Sequence, residues 1–134
     1  MSVHFLIADL IAGFPTESDA MFARSVDLID ECGLTHLHVF PFSARPGTPA
    51  ARMPAVAPAV ITERARALRH QGEAALRRHL DGEIGARRRV LAEAGGGGRT
   101  EPFTKVRLAG PVAPGTILDV TIAAHDGRQL LAAV

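Results

Sequence analysis

The sequence predicts an α/β chain made of two unlike pieces, a partial parallel (β/α) barrel followed by a small antiparallel β-barrel of the OB-like kind. Three observations predict it. An apolar run, an amphipathic helical stretch and a second apolar run follow one another within about 35 residues, the pattern of a strand-helix-strand crossover. A long helical stretch comes next, and beyond it the hydrophobic period changes to two. Glycine- and proline-rich linkers then cut the remainder into short segments, as small antiparallel barrels require. With 134 residues, 47% of them hydrophobic, the chain has enough apolar surface for one ordinary domain or two small ones. The expected boundary lies at Leu80, giving pieces 1–80 and 81–134.

The first strand is expected from His4 to Ala12, an apolar run interrupted by Asp9 and closed by Gly13, with the flanks of a buried parallel strand. Thr16, with Asp19 three residues on, reads as a shortened capping box for a helix whose apolar face is Phe22, Val26 and Ile29 and whose stop is Cys32-Gly33. A second strand is expected from His36 to Phe40. The segment from Pro41 to Pro58 holds five prolines and one glycine, so it reads as a long extended loop whose length suggests function. From Ala59 to Leu80 a helix is expected, with Ile61, Ala65, Leu68, Ala75, Leu76 and Leu80 along one stripe, Arg64 among the residues left to the other face, and Gly72 weakening it locally. Strands are expected at 88–93, 103–108, 117–122 and 129–133, with 94–100 as a glycine-rich linker and Asp126-Gly127 as a hairpin turn.

Composition narrows the function classes. A single cysteine, Cys32, excludes an internal disulfide framework, and no cysteine or histidine cluster shows metal-ligand spacing, which suits a reducing cytosol. His36 and His38 share a strand face, but no third ligand follows in sequence, so they read as strand residues with satisfied hydrogen bonds. The opening residues lack a basic n-region and a cleavage site, and no apolar run approaches the roughly 20 residues of a membrane span. The expectation is a cytoplasmic protein with no membrane partner. Residues 1–57 carry three arginines against six carboxylates, a net −3, while 58–134 carry twelve cations against eight anions, a net +4. The C-terminal piece is thus the mildly basic one, compatible with a phosphate-rich partner or with an ordinary solvated surface.

Two segments could hold a ligand. In DLIAGFPTE, Asp9 to Glu17, Gly13 would let the backbone approach a bound molecule and Glu17 could accept hydrogen bonds from it; the same residues could equally serve only as a strand-to-helix turn. In the proline-rich loop, Ser43, Arg45, Gly47 and Thr48 present a guanidinium beside hydroxyls, a set suited to a carboxylate or phosphate, or else a structural crossover. In the C-terminal piece, Arg87, Arg88, Arg89, Arg99, Lys105 and Arg107 could line a groove for RNA. Phe103 is the only aromatic residue there, so such binding would be largely electrostatic.

Taken in order, DLIAGFPTE, HLHVFPFSARPGTPAARMP and GGRTEPFTKVRL resemble landmarks of the radical S-adenosylmethionine methylthiotransferases, in particular the branch that acts on threonylcarbamoyl-adenosine in tRNA. The resemblance covers essentially the whole chain. It implies a C-terminal fragment of a three-part enzyme: the end of a radical S-adenosylmethionine barrel, then a TRAM module contacting tRNA. It also implies S-adenosylmethionine and two 4Fe-4S clusters as cofactors. On matching positions, Gly13, Glu17, Ser43, Arg45, Gly47 and Thr48 would lie at the S-adenosylmethionine end of the barrel. The family usually has glycine at the position of Thr16. The cluster cysteines are absent, so no residue is assigned a catalytic role, the chain alone is expected to be catalytically incompetent, and a separate polypeptide could supply the missing N-terminal portion. Two alternatives stand beside this: a stand-alone TRAM-type RNA-binding module, and a fragment of a ribosomal-protein methylthiotransferase. A piece of parallel barrel is further expected to expose apolar surface and unpaired edges.

Overall fold

The structure, a computed structural model, describes residues 6–133. The described residues divide into two compact units, one spanning Leu6–Ala75 and the other running from Leu76 onward. Among them no helix is long and apolar enough to cross a membrane.

In the first unit, strands β1 (Ile7–Ala12) and β2 (His36–Pro41) pair in parallel, Ile7 opposite His36 and Ala12 opposite Pro41. The expected start of β1 at His4 lies outside the described residues. Helix α1 (Asp19–Glu31) connects them. Its cap is Ser18, whose hydroxyl accepts from the Met21 amide, and not Thr16. Thr16 is committed elsewhere: with Pro15 before it, it is the third residue of a β-turn closed by Glu17 N–H donating to the Phe14 carbonyl at 2.9 Å, and its φ is +71°. That position of a type II turn favours glycine. Helix α1 stops as its sequence requires. Gly33 takes φ +63°, and the amides of Gly33 and Leu34 donate back to the carbonyls of Asp30 and Ile29 at 3.2 and 3.0 Å, a Schellman closure.

Helix α2 (Pro58–Glu83) is 26 residues long and outruns its expected bounds at both ends. Its part in the first unit buries Ala65, Leu68 and Ala75 against the inner faces of β1 and β2 and against Ile29 and Leu34. Gly72 does not simply weaken this helix. A methyl group there would sit 2.9 Å from Leu37 Cδ1, so the missing side chain is what lets α2 approach β2 closely. The other face of the strand pair carries Ile7, Asp9 and Ile11 on β1 and His38 and Phe40 on β2; Ile11 and Phe40 are 53% and 51% exposed. The pair is therefore covered on one face only, and no further strand joins it among the described residues. Two parallel strands with two helices are seen; a (β/α) barrel arc is not.

The loop from Pro41 to Pro58 is more ordered than an extended linker. Arg45-Pro46-Gly47-Thr48 forms a second turn of the same kind, Gly47 at φ +84° and Thr48 N–H donating to the Arg45 carbonyl at 3.3 Å, and a 3-10 turn follows at Ala50–Arg52.

The second unit is a closed five-stranded barrel in the order β3-β4-β5-β7-β6, from β3 (Arg87–Ala92), β4 (Gly97–Thr100), β5 (Lys105–Arg107), β6 (Ile117–His125) and β7 (Leu130–Ala132). Two expectations are corrected here. The glycine-rich stretch is not only a linker, because Gly97 and Gly98 belong to β4. A methyl group on Gly98 would lie 2.6 Å from Val90 Cγ1 and 2.7 Å from the Leu91 carbonyl oxygen, so the strand needs glycine to pass this close to β3. Nor is the barrel wholly antiparallel, since β5 and β7 pair in parallel, Val106 opposite Leu130. The Asp126-Gly127 hairpin forms: Asp126 Oδ1 accepts from the amides of Arg128 and Gln129, both at 2.9 Å, which holds its carboxyl below the usual carboxylate range, and Gly127 takes φ +89°. The barrel core is Val90, Ala92, Val106, Ile122 and Leu130 with Leu80 from the end of α2.

His79 and the fully buried Thr104 share a hydrogen bond at 2.8 Å beside this core. Burial pushes the His79 pKa below its ordinary 6.5, with Glu83 opposing and Arg88 adding to the effect. The unfolded chain then takes up this proton at higher pH than the folded one, so stability present above about pH 6.5 is lost as the pH falls. Urea denaturation followed from about pH 7 to about pH 5 should show this decline, and His79→Gln should flatten it. A second prediction concerns Thr16. A left-handed non-glycine residue costs about 1–2 kcal/mol, part of which glycine returns in unfolded-chain freedom, so Thr16→Gly should stabilise the chain by roughly 0.5–1 kcal/mol in the same measurement.

Candidate functional site

In the first unit the carboxyl ends of β1 and β2, where parallel strands meet ligands, hold the first set of candidate residues. Gly13 ends β1 at φ +80°, and a Cβ there would overlap the side chain of Ile61 on α2. The space a ligand was expected to use is thus filled by the protein itself. Glu17 Oε1 accepts from the Gly13 amide at 3.0 Å and from Arg64 Nη1 at 2.9 Å. Arg64 Nη1 also donates to the Glu17 carbonyl, and Nη2 to Asp19 Oδ1, both at 2.8 Å. Arg64 is only 7% exposed, and its guanidinium lies 5.6 Å from the centroid of the Phe22 ring. Burial works to lower its pKa, but the hydrogen bonds and charges of Asp19 and Glu17 outweigh that and hold it above the ordinary value.

Arg64 is therefore not on the solvated face of α2. It follows Ile61 by three residues and precedes Leu68 by four, which places it within the apolar stripe; an arginine in that register is the signal that it has a buried carboxylate partner.

On the neighbouring loop, Phe14 and Phe42 meet edge to face with centroids 5.5 Å apart. Gly47 serves the turn. Thr48 Oγ1 donates to the Arg45 carbonyl at 2.8 Å and accepts from the Ala51 amide at 3.3 Å, tying the turn to the 3-10 segment. Ser43 and Arg45 are exposed, and no described residue engages the hydroxyl of the first or the guanidinium of the second. Of this set, then, Ser43 and Arg45 keep donors available to a ligand, while Gly13, Glu17, Gly47 and Thr48 build the frame. His36 Nδ1 lies 3.0 Å from Thr35 Oγ1, whereas His38 is exposed and not a buried strand residue.

In the barrel, strand alternation sorts the basic residues. Arg87 and Arg89 point outward from β3, Lys105 and Arg107 outward from β5, and Arg99, opposite Lys105 in register, shares their face. Arg88 points the other way, into a bidentate pair with buried Glu83 at 2.6 and 3.1 Å. Arg99 has its Cζ 4.6 Å from the centroid of Phe103 and donates through Nη1 to the Phe103 carbonyl at 3.4 Å. Its Nε faces Glu93 Oε1 at 3.5 Å, close enough for an ion pair but without hydrogen-bond geometry. Between the β3-β4 turn and β5 lies a cavity of about 180 Å³, lined by Glu93, Gly95, Gly97, Lys105, Arg107 and Gln129 among others.

No family model matches the chain. It is similar to the threonylcarbamoyladenosine tRNA methylthiotransferase of Rickettsia prowazekii, 46% identical over 110 residues that cover 82% of this chain and 26% of that protein. It is also 37% identical over 133 aligned residues to the tRNA-2-methylthio-N(6)-dimethylallyladenosine synthase of Ralstonia nicotianae, covering 87% of this chain and 29% of the relative. A ribosomal-protein methylthiotransferase of Syntrophobacter fumaroxidans is 40% identical over 120 residues, covering 84% and 26%. The relatives are thus methylthiotransferases of more than one kind, the similarity does not single out the threonylcarbamoyladenosine branch, and the chain spans about a quarter of the length of the relatives it matches.

The Arg64 contact yields a direct test. Removing the guanidinium leaves the Glu17 carboxylate enclosed without its cation, a loss that costs about 3 kcal/mol or more in comparable buried pairs. Arg64→Ala should destabilise the first unit by that order in urea denaturation, and Arg64→Lys should recover only part, since one ammonium cannot reproduce the fork.

Proposed function

We propose that this chain is the C-terminal part of a tRNA methylthiotransferase of the radical S-adenosylmethionine class, residues 1–80 closing its (β/α) barrel and 81–134 forming a TRAM module that contacts tRNA. The observation that carries the reading is the similarity to the Rickettsia enzyme over most of the chain. On the same ground the substrate we favour is N6-threonylcarbamoyladenosine beside the anticodon. The one-sided strand pair supports it, because parallel strands are normally covered on both faces and the remaining barrel strands would complete this one.

S-adenosylmethionine would supply the radical precursor and the methyl group. Toward it this chain offers the open donors of Ser43 and Arg45, which fit a carboxylate, at strand ends shaped by Gly13 and Glu17. The residues do not fit a four-iron cluster: the sequence has one cysteine, Cys32, exposed at the end of α1, and the described residues contain no cluster of three metal-ligating side chains. In the proposed enzyme the cluster ligands come from outside these residues, and no chemical step is assigned to this chain.

A second reading, an RNA-binding module active by itself, draws on the barrel closing completely through the β3–β6 and β6–β7 pairs. The third, a ribosomal-protein substrate, draws on the Syntrophobacter relative, but the basic outward face of the barrel suits nucleic acid better.

The test joins this chain to the N-terminal three-quarters of the Rickettsia relative, reconstitutes clusters anaerobically, and looks for a methylthio nucleoside in tRNA digests by mass spectrometry. The fusion should form it and the chain alone should not. Formation by the chain alone would overturn the proposal, and a fusion that modifies ribosomal protein but not tRNA would replace it with the third reading.

A further inference from the structure

The cavity of about 180 Å³ in the barrel is bordered by two cations and one carboxylate, yet its charge is more positive than that count implies. Lys105 and Arg107 stand two residues apart on the outer face of β5, and no described residue engages the ammonium of the first or the guanidinium of the second. Glu93, just past the end of β3, is already balanced, because Arg99 Nε lies 3.5 Å from its Oε1. That arginine is committed within the protein. Its Cζ is 4.6 Å from the Phe103 centroid, its Nη1 donates to the Phe103 carbonyl at 3.4 Å, and its Nε is buried. Two positive charges are therefore left at the cavity without a counter-charge. The opposite wall is the β3-β4 turn, where Gly95 takes φ +88° and both Gly95 and Gly97 present backbone and no side chain. No described group accepts from the amides of Ala94 or Gly95, so the turn adds two consecutive donors to the two cations, a combination suited to an anion. A volume below the 300 Å³ or so of a drug-sized pocket suits one compact anion and not a larger cofactor.

We propose that this cavity is a phosphate site, in which one phosphate group of a bound RNA is held by Lys105, Arg107 and the Ala94-Gly95 amides, while Arg99 makes no contact with the RNA and instead cancels the charge of Glu93. Ammonium, guanidinium and backbone N–H groups are the donors that phosphate oxygens take. A carboxylate left unbalanced at the same opening would repel the anion, so a cation that touches no phosphate still decides how well the site binds. Basic residues that charge alone would count as equals thereby take different roles: Lys105 and Arg107 hold the anion, Arg99 screens, and Arg88 stays with Glu83. The choice of RNA as the source of the phosphate rests on the reading above that the barrel contacts tRNA; the phosphate chemistry itself does not.

The test titrates the full chain with inorganic phosphate, against sodium chloride at matched ionic strength, and follows the backbone amides by NMR; binding of a synthetic RNA hairpin is measured by fluorescence anisotropy at several salt concentrations. Phosphate should shift the Ala94, Gly95 and Gly97 amides beyond the chloride control, and the RNA should shift the same amides. Lys105→Ala and Arg107→Ala should each weaken the phosphate response and lower the salt slope of RNA binding by about one. Glu93→Gln should bind phosphate at least as well as wild type, Arg99→Gln should bind it about fivefold more weakly, and the double variant should behave like Glu93→Gln, since nothing is then left to screen. A double variant as weak as Arg99→Gln would make Arg99 a direct ligand and overturn the screening role. Should Arg99→Gln fail to fold by circular dichroism, the variants of the exposed Lys105 and Arg107 decide the site alone. If phosphate shifts these amides no more than chloride does, or if both of those variants respond like wild type, the phosphate site is refuted even where RNA still binds. Phosphate binding without RNA binding would assign the site to free phosphate and remove the reading of the barrel as an RNA contact.

Discussion

The first unit depends on one buried guanidinium. Arg64 gives its two terminal nitrogens to three oxygens of one turn, the carbonyl and carboxylate of Glu17 and the carboxylate of Asp19, and the same Glu17 oxygen takes the amide of Gly13. A chain leaving a strand for a helix must change direction within a few residues, and here that change is locked to α2 through a charge that cannot be left alone. A buried ion pair contributes little net stability, because desolvation offsets the attraction, yet it penalises every arrangement that separates its partners. The carboxyl end of β1 is therefore held in one geometry by this ion pair together with the packing of Ile61 against Gly13 and of Phe14 against Phe42.

The two units handle backbone edges in opposite ways. In the barrel, parallel pairing of β5 with β7 and antiparallel pairing of β6 with both β3 and β7 leave no strand without a neighbour on either side. The bulge between Ile122 and Ala124 lets the nine-residue β6 bend far enough to reach both. In the first unit, β1 and β2 pair with each other and with no further strand among the described residues. Closed sheets serve as independent modules, and open parallel pairs as parts of larger ones.

Where local chemistry decides, the sequence was readable. The hydrophobic period placed both helices, Cys32-Gly33 marked the end of α1, and Asp126-Gly127 marked the hairpin. Failures came where a tertiary neighbour decides. Strand β4 is half glycine and carries no alternation, because its shape is set by Val90 and Leu91 across the ladder. Thr16 resembles a cap in one dimension, but the preceding proline commits it to the turn and leaves capping to Ser18. Charge sets Arg64 apart from the apolar stripe of α2, although its register lies on that stripe. For the candidate site, residue types were legible and their employment was not: Glu17 and Thr48 are occupied within the fold, Arg88 is paired with Glu83, and Ser43 and Arg45 remain open.

The uncovered face of β1 and β2 bears on the life of this polypeptide in a cell. Ile7, Ile11 and Phe40 stay exposed there around Asp9 and His38, and exposed apolar side chains are what holdase chaperones grip and quality-control proteases recognise. Turnover of the chain is then set by that face, however well the closed barrel is made.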